Sequence, residues 1–233
     1  MNALARHIRM SPLLSALPRE VQAELQKAAE QVCFRRRHVV FVADQRSDYV
    51  YLLCSGLVKL ARTSPSGRDV SLSLVNPYEI FGENDIFDSG AYYGATAEVL
   101  VDSEVVSFRR CMLAGHVGNS PEALIALAHL QYTRRSYAEQ RLVDISFYDV
   151  PTRLARLLFR LSAANGGCSI DNIGGRLKLT HQEIANLIGS TRETTTVVLG
   201  DLRRKGIIQL IGRRIIISDP HALREMTEGK VER

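Results

Sequence analysis

THQEIANLIGSTRETTTVVLGDLRRKGIIQ, residues 180–209, reads as two short helices joined at a glycine turn. Thr180 with Glu183 three residues later is a capping box, Ile184, Ala185, Leu187 and Ile188 give that helix an apolar face, and Gly189 stops it. Ser190 with Glu193 repeats the box. Val197, Val198, Leu199 and Leu202 then carry the apolar side of a second helix that runs to about Lys205 and ends at Gly206. Ile207 and Ile208, a charged turn at Arg213 and Arg214, and the apolar run 215–217 follow, and they read as a β-hairpin wing.

The first turn of the second helix exposes Arg192 and Glu193. A guanidinium fork matches guanine O6 and N7, and a carboxylate accepts from cytosine N4. Either residue alone is equally well a solvated charge or, for Glu193, the reciprocal residue of a cap. Two capped helices followed by a hairpin are what point to a winged helix-turn-helix on double-stranded DNA. Charge agrees: residues 151–233 hold 14 Lys/Arg against 8 Asp/Glu, whereas residues 1–150 hold 16 against 17. The basic excess expected of a phosphate-binding surface lies in the helix-turn-helix half.

Upstream, Leu13, Leu14, Leu17, Val21 and Leu25 stand at helical spacing, with Pro18 opening a second short helix. From Val39 to about Phe108 the period is two. The pairs Val50 and Leu52, Val58 and Leu60, Val70 to Leu74, and Val99 and Val101 alternate with polar or small residues. Turn signals at Ser55-Gly56, Pro65-Ser66-Gly67, Asn76-Pro77 and Asp102-Ser103 separate short strands of a small β-barrel or jelly roll. After Ser120-Pro121 a helix is expected to run to about Asp149. Leu124, Leu127, Ala128 and Gln131 begin an apolar seam, Arg134 and Arg135 interrupt it, and Ala138, Leu142 and Ile145 resume it, a pattern suited to pairing with a second copy. Asp149 and Pro151 restart the chain as a new helix whose buried face is Leu154, Leu157, Leu158 and Leu161. Gly166-Gly167 closes it, and Leu177 and Leu179 lead on to Thr180.

No apolar run approaches the about 18 residues of a membrane span, and MNALARHIRM lacks the apolar core of a signal peptide, so a cytoplasmic protein is expected. Cys33, Cys54, Cys111 and Cys168 have no CxxC spacing, and the histidines form no HxH or HxxxH group. No metal site is expected. Residues 39–108 hold no nucleophile-base pair, and no chemical reaction is required of the chain.

A barrel, a long helix, an Asp-containing hinge and a winged helix-turn-helix, in this order, resemble the CRP/FNR superfamily of bacterial transcription regulators along nearly the whole chain. FYDVPTRLARLL at 147–158 and LTHQEIANLIGSTRETTTVVLGDLRRKGII at 179–208 are similar to its hinge and DNA-reading unit, closest to the nitrogen-control branch, NtcA. The resemblance implies an α+β chain: a cyclic-nucleotide-binding-like β-barrel (jelly roll) over 1–120, a long dimerisation helix over 121–149 and a winged helix-turn-helix over 150–233. It implies a homodimer, double-stranded DNA and RNA polymerase as partners, no certain cofactor, and an effector whose identity stays open. Arg192 and Glu193 would meet base edges, and Gln182 and Thr194 would lie against phosphates. Ser190, Thr191, Val197 and Arg213 complete the expected DNA-facing set, with Val197 standing where both branches place a second base-reading arginine. An apolar side chain there can touch a thymine methyl and cannot take a guanine.

The same resemblance outlines an effector pocket of Phe81, Gly82, Glu83, Tyr93, Gly94, Ala95, Thr96, Arg134, Ala138 and Glu139. Gly82-Glu83 stands where cyclic-nucleotide pockets hold the ribose. Tyr93-Gly94-Ala95-Thr96 replaces the RxAT-type pattern, so the phosphate-binding arginine is missing, and Ala138-Glu139 replaces the Thr-Ser pair that meets adenine. These differences argue against cyclic AMP bound in the usual way. Arg134 and Glu139 align with effector-site residues of the 2-oxoglutarate-sensing nitrogen branch, but that branch's barrel arginine falls near Ala91. Arg134 wants an anion, either a ligand or Glu139.

Overall fold

The computed structural model describes residues 3–63, 69–163, 179–211 and 214–228. Residues 64–70 apart, the chain divides after Tyr137 into two compact units. The first opens with three short helices, α1 (Ala3–Met10), α2 (Pro12–Ser15) and α3 (Arg19–Ala28). Six strands follow: β1 (Glu30–Phe34), β2 (Val39–Phe41), β3 (Tyr49–Thr63), β4 (Asp69–Val75), β5 (Ile80–Phe81) and β6 (Thr96–Arg109). Then come α4 (Arg110–Gly118) and the start of α5 (Pro121–Phe147). The sheet runs β1-β6-β3-β4, with β2 added on β6 and β5 on β3.

Side-chain alternation along β3 and β6 separates two cores. Val50, Leu52 and Cys54, with Val106 and Phe108, face the helices and pack with Leu14, Leu25, Leu113 and Leu127. Leu53 and Val105 face the other way, into the barrel, among Phe41, Phe81 and Tyr93.

Two expected turns are absent. Ser55-Gly56 and Asp102-Ser103 lie inside β3 and β6, which are long and bent where several separate strands were expected. The bend is a bulge, with register shifts on either side of Ser55 and Leu57. Gly56 adopts φ +100°, and a Cβ there would stand 2.8 Å from the Asp102 carbonyl oxygen. Ser103 repairs the ladder: its hydroxyl accepts from the Leu57 amide at 3.2 Å and donates to the Val101 carbonyl at 2.6 Å. Polar residues that resemble a turn in sequence here substitute for backbone pairing.

In the second unit Asp149 caps α6 (Val150–Ala163), its carboxylate accepting from the Thr152 amide at 3.0 Å. Leu154, Leu157, Leu158 and Leu161 are buried, as expected. Then follow α7 (His181–Ile188), α8 (Arg192–Arg204), the antiparallel hairpin β7 (Ile208–Ile211) and β8 (Arg214–Ile217), and α9 (Pro220–Glu228). Gly166-Gly167, Leu177, Arg213 and the turn at 65–67 lie outside the described residues.

The 27 residues of α5 extend about 40 Å. Leu127, assigned above to the apolar seam, is instead buried in the helix-facing core of the first unit. The apolar side chains left exposed along α5 are Leu124, Ile125, Tyr132, Leu142, Val143, Ile145 and Phe147.

Candidate DNA-reading surface and sensor pocket

The helix pair is set by its caps. Thr180 and Glu183 form the expected box around the start of α7, and Gly189 ends it at φ 64° in the left-handed region. A Cβ on Gly189 would press to 3.1 Å from Ile145, so the turn is held closely as well as tightly. The second cap differs from expectation. Thr191, not Ser190, is the N-cap of α8, its hydroxyl accepting from the Thr194 amide at 3.2 Å. With the register moved by one residue, Glu193 has no capping role. Neither the Arg192 guanidinium nor the Glu193 carboxylate has a partner among the described residues.

One side of α8 is buried through Thr195, Val198, Leu199 and Leu202. That spacing turns Arg192, Glu193, Thr196 and Val197 to the exposed side, with Val197 63% exposed. Gln182 is exposed at the second position of α7 and bonds Asn186 at 2.9 Å, while Thr191 and Thr194 share a hydroxyl contact of 3.0 Å. Ser190 is half-buried in the joint. The Thr196 hydroxyl donates to the Arg192 carbonyl at 2.8 Å and lies 2.8 Å from His181 Nδ1. Its single proton being committed, the His181 nitrogen is the donor of that second bond.

A network that the sequence reading did not single out braces this surface. Asp144 of α5 is buried and pairs with Arg156 at 2.6 Å and Arg160 at 3.5 Å, both from α6. Arg156 also donates to the Thr227 carbonyl of α9 at 2.8 Å and lies 3.8 Å from the centre of the Tyr148 ring. Arg153 donates to the carbonyls of Ile188 and Gly189, and Arg141 to that of Asn186, so arginines satisfy the last carbonyls of α7. The signal available in sequence was the spacing of Arg141 and Asp144 on one helical face, and of Arg153, Arg156 and Arg160 on another.

In the first unit, Phe81, Gly82, Glu83, Tyr93 and Ala95 are buried together near the barrel interior. The Tyr93 ring stacks on Phe41 at a centroid distance of 3.8 Å, and its hydroxyl donates to the Tyr49 carbonyl at 2.8 Å. Phe41, Tyr51 and Phe81 continue the stack. Burial beside these rings, and Tyr93, push the Tyr51 phenol well above its ordinary pKa. Thr96 accepts from the Ala43 amide at 3.0 Å, and Gly94 is exposed. Glu83 is 1% exposed, and its Oε1 accepts from Gln131 at 2.8 Å and from Arg134, which also donates to the Ile80 carbonyl. Arg134 therefore finds its anion in Glu83, where the sequence pointed to Glu139 or a ligand. Ala138 and Glu139 are exposed.

Arg110, at the start of α4, is a further residue that the sequence reading passed over. It is buried and donates to the carbonyls of Gly82, Asn84 and Asp85 and to the Ser47 hydroxyl, so one side chain fixes the backbone of residues 82–85. Among the described residues no cluster of three metal-ligating side chains occurs, and no helix is long and apolar enough to cross a membrane.

Residues 152–226 match the Crp-like helix-turn-helix domain and residues 31–114 the Cyclic nucleotide-binding domain. The chain is 35% identical over 205 residues to the CRP-like cAMP-activated global transcriptional regulator of Mycobacterium tuberculosis, covering 86% of this chain and 89% of that one. It is 32% identical over 195 residues to the Global nitrogen regulator of Synechococcus elongatus, covering 82% and 86%. Among solved structures, a CRP/FNR-family transcriptional regulator from Thermus thermophilus superposes with a TM-score of 0.69 at 29% identity, covering 86% of this chain and all of that one.

Proposed function

Because the chain belongs to the CRP/FNR family of transcription regulators, we propose that two copies pair through the exposed apolar side chains of α5 and read a palindromic operator with the first turn of α8. The observation that carries this reading is the state of Arg192 and Glu193: both are exposed, and unpartnered among the described residues, on a helix whose other side is buried. An arginine fork and a carboxylate left free in this way suit guanine and cytosine edges. Gln182 and Thr194 would flank them on the phosphates, Ser190, Thr191 and Arg213 would complete the DNA-facing set, and Val197 would lie against a thymine methyl. Two such helices enter successive major grooves about 34 Å apart, which sets the half-site spacing. RNA polymerase is the proposed partner of the DNA-bound pair, and the cytoplasm its compartment. The domain division proposed is a sensor barrel over 1–120, a pairing helix over 121–149 and a DNA-reading domain over 150–233.

Cyclic AMP held in the usual way is not the proposed effector. At the position of the missing phosphate arginine, Tyr93 is stacked into the barrel. The pocket residues Phe81, Gly82, Gly94, Ala95, Thr96, Ala138 and Glu139 add no cation to replace that arginine. Fluorescence anisotropy tests both parts. Purified protein titrated onto a palindrome of family half-sites at fixed salt is expected to bind it well above random DNA, with the same affinity when cyclic AMP is added. A cyclic AMP-dependent gain would overturn the effector reading, and a gain with 2-oxoglutarate would assign Arg134 to that anion. Equal binding to operator and random DNA would overturn the operator reading.

A further inference from the structure

The exposed side of α8 offers DNA more than Arg192 and Glu193. Thr196 and Val197 follow them one turn later, about 6 Å along the helix axis and on the same side. A threonine presents two different groups, a hydroxyl that can pair with a polar base edge and a methyl that makes only apolar contact. In Thr196 the hydroxyl is already engaged. Its proton goes to the Arg192 carbonyl at 2.8 Å, and because a carbonyl oxygen has no proton to give, the direction of that bond is fixed. Its oxygen then accepts from His181 Nδ1 at 2.8 Å. This second bond joins two helices: His181 is the first residue of α7, half-buried, and Thr196 is exposed in the middle of α8. A hydroxyl held in this way has no proton left for a base acceptor, and the methyl is the free group.

We propose that Thr196 is a further specificity-determining residue, its methyl packing on the C5-methyl of a thymine, and that His181 is the positioning residue that holds this methyl toward the groove. The proposal rests on the operator reading above. A threonine methyl suits the apolar group that a thymine presents in the major groove, and Val197 beside it extends the same surface. The first turn of α8 thus reads polar edges and the second turn apolar ones. His181 stands 15 positions before Thr196, so the fold of the helix pair itself orients a base-reading side chain.

The test starts from operators that the full chain selects out of a pool of randomised palindromic duplexes. Each thymine of the enriched sequence is then replaced by deoxyuridine, which removes only the C5-methyl. Anisotropy on the parent protein is expected to show a thymine whose replacement weakens binding about fourfold for one half-site and about sixteenfold for both, the scale of one buried methyl. Thr196→Ser keeps the hydroxyl, loses the methyl and is expected to erase that penalty, whereas Val197→Ala is expected to leave it in place. His181→Ala is expected to reduce the penalty, and His181→Asn, whose amide nitrogen stands where Nδ1 stood, to restore it. The ratio of thymine to deoxyuridine duplex is taken within each variant, so a phosphate contact or a change in stability, which moves both duplexes alike, drops out. A pool from which nothing is enriched overturns the operator reading and this proposal with it. An enriched operator whose thymine penalties all survive Thr196→Ser overturns this proposal alone, and a penalty equal in parent and His181→Ala overturns the role of His181.

Discussion

Arg192 and Thr196 stand one helical turn apart, yet they differ in how far their side chains are committed. The Thr196 hydroxyl is tied to the Arg192 carbonyl and His181, whereas the Arg192 guanidinium has no partner among the described residues. Arg192→Ala is therefore expected to weaken operator binding by about 1 to 3 kcal/mol while leaving random-DNA binding nearly unchanged, as read by anisotropy on both duplexes. Equal losses on both would make it a phosphate contact. Cys54 offers a different measurement at this scale. Burial, with a smaller contribution from Glu104, raises its thiol from 9.0 to about 12. Below pH 9 the thiol is protonated whether the chain is folded or not; above it the unfolded thiol ionises first, so native stability should fall between pH 9 and about 12. Urea titrations across that range are expected to show a smaller fall in Cys54→Ala. Side-chain partners were the least legible part of the sequence. Arg134 pairs with a glutamate 51 positions away, which local spacing cannot reveal, and the free state of Glu193 emerged only once the cap was located.

At the level of elements, local chemistry predicts well where it acts alone. The Thr180 cap, the Gly189 and Gly206 stops, the Asp149 restart and the hairpin wing were all legible because each depends on neighbours within a few residues. The start of α8 was not, since Ser190 and Thr191 both carry suitable hydroxyls and the tight Gly189 turn decides between them. Thr191→Ala is expected to cost about 1 kcal/mol of thermal stability and Ser190→Ala much less, and denaturation of the two variants side by side checks the assignment. Strand β1 and the continuity of β3 and β6 were missed for a longer-range reason. Residues 30–33 are all exposed, which removes the alternation that marks a strand, and a bulge looks like a turn until its partner strand is known.

Across the whole molecule, the order of barrel, long helix and DNA-reading head was readable because each segment has its own hydrophobic period. The faces of α5 were harder: one apolar repeat serves both the helix-facing core of the first unit, through Ala123 and Leu127, and the exposed side proposed for pairing. Leu142 is 67% exposed and tests that side. Leu142→Glu is expected to turn a dimer into a monomer in sedimentation velocity and to abolish tight operator binding, with little change in the chain's own secondary structure.

The Asp144 network also bears on how such regulators can be rebuilt. Its carboxylate lies on the final turns of α5, while the arginines that answer it lie on α6. A sensor exchanged at Asp149 would deprive the transplanted head of its counter-charge and leave two arginines facing a foreign helix. A splice between Tyr137 and Ala138, where the compact units divide, carries carboxylate and arginines across together. Grafts made at that seam, with the helical phase preserved, are the ones expected to yield working hybrids.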